Sequence, residues 1–340
     1  MLNSKQENIY TGEKIMDKKI YYRGLVAQPW YNFTESLAYI ITGKPIPKNI
    51  VYGKKIPYGK EKKQYINTFC LEESKDKKKP LFIYIHGGGW VSGITEMRNS
   101  YILNWADMGF FTCSISYTYA PQAPFPEQLR EVYSAIDFIF DKAEEYNIDT
   151  DNIIIGGESA GGYFISFLAS CISDPTPLDK LGITFKNRDR FKIKALVGHS
   201  GCYSIERLCD ESKPQSEFPD IKMMLQSFTG MSIEQLREFV KTDEGRLLTP
   251  QVNGGYPPCY LAWSSADKLR FDTMDFAKDL RAHNVPYRMF KGDGLAGNHA
   301  WTFVTLLKKG RECLADTFDF VLPLIPDYFE SKNGKWSFKG

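Results

Sequence analysis

The chain has 340 residues, more than a typical domain of about 150, but α/β enzymes often exceed that length as one unit, which favours one domain with insertions. A hydrophobic content of 43%, with 23 Phe and 20 Tyr, excludes disorder as the governing property. Its 43 Lys and Arg against 41 Asp and Glu leave a formal charge of +2 without a dense basic block, which argues against a nucleic-acid-binding face.

Cysteine usage and the first thirty residues bear on the cellular compartment. The seven cysteines are scattered, form no CxxC pair and in several cases lie in apolar runs, as buried thiols do in a reducing compartment. Residues 1–30 lack the apolar run of ~7 to 15 residues that a signal peptide needs, and no later segment reaches membrane-spanning length. We therefore expect a cytoplasmic protein without a nucleic-acid or membrane partner, and leave a homodimer open.

Short apolar, β-branched runs alternate with helical stretches along the chain. Residues 64–71 are predicted to form an edge strand, and helical periodicity recurs at Leu129, Val132 and Ile136 and again around Leu269. The alternation predicts an α/β fold with a mostly parallel central sheet flanked by helices. The predicted inner strands are residues 81–85, 110–115, 153–155, 195–197, 260–263 and 287–290.

Two segments do not fit this alternation. Residues 1–55 and about 203–252 are predicted to be cap elements over the carboxyl edge of the sheet. The α/β domain is predicted over residues 56–325, with the second cap segment inserted in it, and residues 326–340 are predicted to be a C-terminal tail.

A glycine-rich loop follows the predicted strand at 81–85, where residues 86–90 read HGGGW. Such a loop leaves backbone N–H groups free to point into a cleft, where they stabilise the oxyanion of acyl transfer. One preorganised donor contributes ~3 to 4 kcal/mol to transition-state stabilisation. We predict an oxyanion hole formed by the amides of Gly88, Gly89 and Ala160, with His86 in a structural role.

Residues 157–162 read GESAGG and lie between the apolar strand at 153–155 and a helical run at 163–170. In a strained strand-to-helix turn, a side chain at Gly157 or Gly161 would collide with neighbouring backbone, and the serine hydroxyl is pushed out above the sheet. Ser159 is therefore the predicted nucleophile.

The HGGGW loop, the GESAGG elbow and the proline-rich stretch SYTYAPQAPFP at residues 116–126 together resemble the hormone-sensitive-lipase-like and bacterial carboxylesterase branch of the α/β hydrolases. The resemblance covers about residues 58–325 and implies a serine esterase of the α/β-hydrolase fold. Two positions depart from the family pattern. Glu158 stands where many members carry Asp, and Trp301 stands two residues after His299, where Phe is commoner.

The base is predicted among four histidines, because a serine hydroxyl is a weak nucleophile until its proton is removed. His299 follows the last predicted strand in a glycine-rich loop, where the fold's order of Ser, then acid, then His places the base. His283 is expected to be a solvated histidine near a helix end. His199 ends a strand, but as the base it would precede the acid, which the fold does not do.

The acid is predicted between the elbow and His299, and chain order admits Asp267, Asp272 and Asp275. Asp267 comes four residues after Trp263, in a loop at the carboxyl edge of the sheet. The other two fall in a helical repeat and are expected to face solvent. Asp267 is therefore the predicted acid.

The predicted function is hydrolysis of carboxylic esters through an acyl-enzyme, with no cofactor and no metal, on a small-molecule substrate. Short to medium acyl chains are expected because the mid-chain insertion is charged at Asp210, Glu211, Lys213 and Glu217. The alternatives are an aryl formamidase, amidase or small peptidase, and a non-catalytic binding protein. A GxGxxG match at residues 292–297 is interpreted as slack for the His299 loop, because no strand follows to complete a dinucleotide fold.

Overall fold

A mostly parallel eight-stranded β-sheet forms the centre of the computed structural model, which describes residues 16–42, 45–293, 299 and 304–339. The strands stand in the spatial order β1-β2-β4-β3-β5-β6-β7-β8, and only the pairs β1–β2 and β2–β4 are antiparallel. The strands are β1 Ile50–Pro57, β2 Tyr65–Leu71, β3 Lys79–Ile85, β4 Phe111–Ile115, β5 Ile148–Glu158, β6 Ile193–His199, β7 Cys259–Ser264 and β8 Tyr287–Gly292. The predicted α/β fold with a parallel sheet is confirmed.

Helices cover both faces of this sheet, which explains why its central strands are continuously apolar. The helices are α1 Lys18–Thr42, α2 Asn99–Asp107, α3 Glu127–Asp141, α4 Ala160–Ser170, α5 Thr176–Lys180, α6 Ile205–Cys209, α7 Pro219–Thr229, α8 Ile233–Phe239, α9 Arg270–Ala282 and α10 Lys308–Val321. A hairpin of β9 Phe329–Lys332 and β10 Lys335–Phe338 occupies the predicted C-terminal tail.

The alternation of side chains along β3 divides the core into two layers. Leu81, Ile83 and Ile85 pack with the buried face of α3 and with α4, whereas Phe82 and Tyr84 face α2 and α10. In the second layer the ring of Phe82 stacks on Trp105 at a centroid distance of 3.8 Å. Strand β5 is buried between these two layers and ends at the residue before Ser159.

One expectation about the start of the sheet is wrong. The sequence predicts an edge strand at residues 64–71, but β2 lies between β1 and β4, and β1 is the edge. The expected boundary at residue 55 falls inside β1. The alternating apolar signal is weak there because most side chains of this edge strand are at least partly exposed.

Helix α1 and the helices of the mid-chain insertion lie against each other. Gly24 of α1 packs so closely that a Cβ there would stand 2.8 Å from Ser227 Oγ and 2.9 Å from a ring carbon of Pro121. The amide of Gln28 donates to the Ala120 carbonyl at 2.6 Å. These contacts bring the N-terminal helix and α7 to the same end of the sheet.

Candidate active site

Ser159 sits in the turn between β5 and α4 with φ 54° and ψ −121°, a left-handed conformation that non-glycine residues rarely adopt. A Cβ on Gly157 would lie 2.8 Å from the Gly161 carbonyl carbon, and one on Gly161 would lie 2.0 Å from the Ile85 oxygen. Both positions therefore require glycine, for the steric reason inferred from the motif. The turn lifts Ser159 to the wall of a cavity at the carboxyl edge of the sheet.

The glycine loop after β3 lines the same cavity. Gly88 has φ 116° and Gly89 has φ 58°, and the Gly88 carbonyl accepts the N–H groups of Val91 and Ser92 at 3.1 and 3.0 Å. Among the described residues, no acceptor pairs with the N–H group of Gly88, Gly89 or Ala160. Because Ala160 opens α4, its N–H also lies at the positive end of a helix.

His299 Nδ1 lies 3.1 Å from Asp267 Oδ1 and 3.2 Å from Asp267 Oδ2. Asp267 is 1% exposed, and its Oδ1 also accepts the N–H of Leu269 at 2.8 Å. Since an ionised carboxylate can only accept hydrogen bonds, Nδ1 carries the hydrogen, which leaves Nε2 as an acceptor. His299 and Ser159 line the same cavity.

The two groups of this pair shift each other's pKa. Burial opposes charge on both, but the hydrogen bond and the opposite charge outweigh it. Burial would lower the pKa of His299, yet the Asp267 carboxylate raises it above the ordinary imidazole value. Burial would raise the pKa of Asp267, yet the bond and charge of His299 and the Leu269 N–H hold it below the ordinary carboxyl value.

The expectation that Asp272 faces solvent is wrong. Its side chain is fully buried, accepts the backbone N–H groups of Tyr203 and Ser204, and pairs with Arg207 Nε at 2.7 Å. Asp272 thereby holds the loop after β6 in place. Helical spacing identified α9 but could not show which of its polar residues point inward.

Asp275 is different, because its carboxylate lies close to the surface between Lys213 and Lys278, at 2.7 and 2.6 Å. Of the three aspartates that chain order admits, Asp267 is the one the structure places against an imidazole.

The remaining histidines have other partners. His86 Nδ1 lies 2.6 Å from the Gly87 oxygen and its ring stacks on Tyr117, and burial lowers its pKa to about 3. His199 Nε2 lies 2.9 Å from the Tyr101 hydroxyl, on the α2 side of the sheet, and burial likewise lowers its pKa to about 3. His283 is exposed and contacts the backbone at the end of α9.

The cavity has a volume of about 370 Å³ and its wall is mainly apolar. Tyr31 of α1, Ile221 and Met224 of α7, and Trp90 of the glycine loop contribute to it. Met224 stands directly over the loop, since a Cβ on Gly89 would lie 2.1 Å from its sulfur. Both segments expected to form a cap thus contribute residues to the wall.

Sequence reasoning missed several residues of this wall. Cys202 lines the cavity, its N–H donates to the Ser159 carbonyl at 2.9 Å, and burial raises the pKa of its thiol. Arg98 reaches the cavity from the turn after the glycine loop. Asp220 and Lys268 form an ion pair of 3.0 Å between α7 and the Asp267 loop. No local pattern marks these residues, because they meet through chain segments far apart in sequence.

Parts of the predicted site region lie outside the described residues, namely 294–298 and 300–303, which include most of the GxGxxG match and Trp301. Within the described ranges no group of three or more His, Cys, Asp or Glu side chains could hold a metal ion. None of the described helices combines the length and the apolar character needed to cross a membrane.

The BD-FAE family model matches residues 69–269, which include the glycine loop, the elbow and Asp267. The chain belongs to the BD-FAE family. The α/β-hydrolase resemblance drawn from the sequence is confirmed. Over 110 residues this BD-FAE member is 33% identical to a protein of Acanthamoeba polyphaga mimivirus named as a putative alpha/beta hydrolase, a match that spans 32% of each chain.

Solved esterase structures share the fold of this BD-FAE member. Esterase B from Lactobacillus rhamnosis matches with a TM-score of 0.73 and 16% identity, over 91% of this chain and 96% of that one. A bacterial heroin esterase matches with a TM-score of 0.69 and 18% identity, over 91% and 98%. A Pyrobaculum calidifontis esterase matches with a TM-score of 0.66 and 18% identity, over 90% and 97%. At such identities the likeness establishes the fold.

The contact between His299 and Asp267 predicts a raised pKa for His299, which can be measured. We expect NMR titration to give His299 a pKa above the ordinary value of about 6.5, and Asp267→Asn to lower it, because the raising hydrogen bond and charge are lost. In a His283→Gln background, His299 is the one exposed imidazole among the three histidines that remain. An unchanged His299 pKa in the Asp267→Asn variant would contradict the contact.

Proposed function

We propose that this protein is a serine hydrolase that cleaves carboxylic esters, with Ser159 as nucleophile, His299 as base and Asp267 as the acid that orients His299. One observation carries the proposal. A histidine anchored on a buried aspartate shares a cavity with a serine in a strained strand-to-helix turn.

The arrangement suits a two-step acyl transfer. Ser159 Oγ attacks the ester carbonyl while His299 Nε2 takes its proton, and the protonated His299 then delivers that proton to the departing alkoxide. A water molecule, activated in the same way, hydrolyses the acyl-enzyme. His299 must be neutral to act as a base. Because its pKa is raised, we expect turnover to fall on acidification at a pH above the ordinary imidazole pKa.

The proposed oxyanion hole consists of the N–H groups of Gly88, Gly89 and Ala160. These donors need no reorganisation when the carbonyl oxygen becomes negative, and they lie beside a mainly apolar cavity, where each hydrogen bond is stronger than in water. Asp267 keeps its negative charge at neutral pH, since its pKa is lowered, and so stabilises the imidazolium formed in each step.

The solved relatives support an ester substrate. Those with a similar fold are named esterases, and Esterase B has been solved in a complex inhibited by a tributyrin phosphonate. The cavity of about 370 Å³ is near the lower end of ligand-site volumes, which favours short to medium acyl chains.

Reaction with a fluorophosphonate tests the nucleophile. We expect one covalent adduct, mapped by peptide mass spectrometry to Ser159, and none in the Ser159→Ala variant, because the proposed base activates this serine alone. Ser92→Ala, at another serine of the cavity wall, is the matched control and should still be labelled at Ser159. Labelling at another residue of the wild-type protein, or no labelling, would overturn the serine-hydrolase proposal.

Asp267→Asn tests the acid. An amide favours the wrong imidazole tautomer, so we expect turnover to fall by ~10⁴-fold. Asp275→Asn is the matched control, with nearly normal turnover, because Asp275 pairs with lysines near the surface. Asp272→Asn is unsuitable as a control, since it disrupts a buried pair with Arg207. Nearly normal turnover in Asp267→Asn would refute the assignment.

Acyl-chain length tests the substrate range. We expect kcat/KM on soluble p-nitrophenyl esters to be highest for short to medium chains and to exceed the rate on emulsified long-chain triglyceride, because the cavity is small and α7 narrows it at Met224. Faster turnover of the emulsified lipid would contradict this range without affecting the proposed triad.

A further inference from the structure

We propose that Glu158 is a positioning residue that holds the glycine loop at the distance from Ser159 at which the Gly88 and Gly89 amides face the reacting oxygen. The inference rests on the proposed function, because it assigns Glu158 a part in forming the oxyanion hole. It also gives a role to the position at which the elbow departs from the Asp of many similar proteins.

Three polar contacts converge on one oxygen of Glu158. Its Oε1 accepts the Gly87 N–H at 2.8 Å and the Arg98 Nε at 2.6 Å, and lies 2.5 Å from Arg98 Nη2. The side chains are almost fully buried, with 1% of Glu158 and 4% of Arg98 exposed. Two guanidinium nitrogens on one oxygen fix the direction of the carboxylate and neutralise its charge.

Glu158 thereby joins the two loops that carry the proposed reaction. It precedes Ser159 in the chain, and its carboxylate holds Gly87, which precedes Gly88. The loops are in direct contact, since a Cβ on Gly87 would lie 2.6 Å from the Glu158 carbonyl oxygen and 2.8 Å from Ser159 Cβ. Loss of the Gly87 hydrogen bond would free this end of the loop to move away from the serine.

A small displacement of the glycine loop is enough to slow the proposed reaction. Oxyanion donors act at about 2.7 to 3.1 Å from the position of the developing charge. A misplacement of about 1 Å can cost ~10²-fold in rate. Gly88 and Gly89 have left-handed backbones and no side chains to anchor them. The hydrogen bonds from Val91 and Ser92 to the Gly88 carbonyl hold the loop together internally, whereas the Gly87–Glu158 bond ties it to the serine turn.

Arg98 compensates the charge of the buried Glu158 carboxylate, which would strongly destabilise the fold if it were unpaired. The Tyr84 hydroxyl also lies near Glu158, and the Glu158 charge acts on His299 together with Asp267 and Lys268. Removal of charge and removal of the acceptor for Gly87 must therefore be separated by experiment.

Two double variants make that separation. Glu158→Gln with Arg98→Met removes both charges and keeps an oxygen acceptor for the Gly87 N–H, whereas Glu158→Met with Arg98→Met removes the acceptor as well. We expect kcat on a soluble ester to be ~10- to 100-fold lower in the double variant that carries Glu158→Met than in the one that carries Glu158→Gln, with KM within ~3-fold. Thermal unfolding midpoints measured in parallel show whether the two proteins are equally stable.

Equal kcat values in two folded double variants would overturn the inference. If the protein with Glu158→Met does not fold, Glu158→Asp takes its place, because it keeps the charge for Arg98 but withdraws the carboxylate by one methylene group. We expect Glu158→Asp to lower kcat at similar KM, and unchanged kcat would again refute the positioning role. Fluorophosphonate labelling of wild-type Ser159 is independent of these comparisons, so failure of the proposed function is distinguishable from failure of this inference.

Discussion

The left-handed backbone at Ser159 is the constraint on which the site depends. A turn this tight brings the start of α4 against the end of β3, so that neither Gly157 nor Gly161 has space for a side chain. The strain is sustained because β5 lies between β3 and β6 in a sheet covered by helices on both faces. The same turn brings the serine, the helix N-terminus and the glycine loop to one edge of the sheet.

Three buried carboxylates lie near this turn, and each has a partner. Asp267 contacts His299, Glu158 pairs with Arg98, and Asp272 pairs with Arg207. Buried ion pairs such as Glu158–Arg98 and Asp272–Arg207 contribute little net stability compared with apolar packing, but losing one partner is costly. Their role here is geometric, since each fixes a loop at the carboxyl edge: the Asp267 loop, the glycine loop and the loop after β6.

The sequence predicted those elements whose structure is determined by residues close together in the chain. The central strands were predictable from short apolar runs, because both faces of these strands are buried. The serine turn was predictable from its flanking glycines, because a side chain at either position would collide with the backbone. Chain order placed His299 and Asp267, which the structure brings into contact. The edge strand β1 was not predicted, because most of its side chains are at least partly exposed and it therefore lacks the apolar alternation from which strands are recognised.

The parts that depend on distant segments could not be predicted. Tyr31 and Met224 reach the cavity because α1 packs on α7, almost two hundred residues away in the chain. Asp272 is buried because Arg207 is there to neutralise it, which helical spacing alone does not indicate. The Glu158–Arg98 pair likewise joins the elbow to a turn sixty residues earlier.

The most direct test of the account is a crystal structure of the fluorophosphonate adduct. It should show phosphorus bonded to Ser159 Oγ, a phosphonyl oxygen within hydrogen-bonding distance of the Gly88, Gly89 and Ala160 amides, and His299 between Asp267 and the adduct. A phosphonyl oxygen that points away from these amides, or a His299 that leaves Asp267 while the serine is modified, would contradict it.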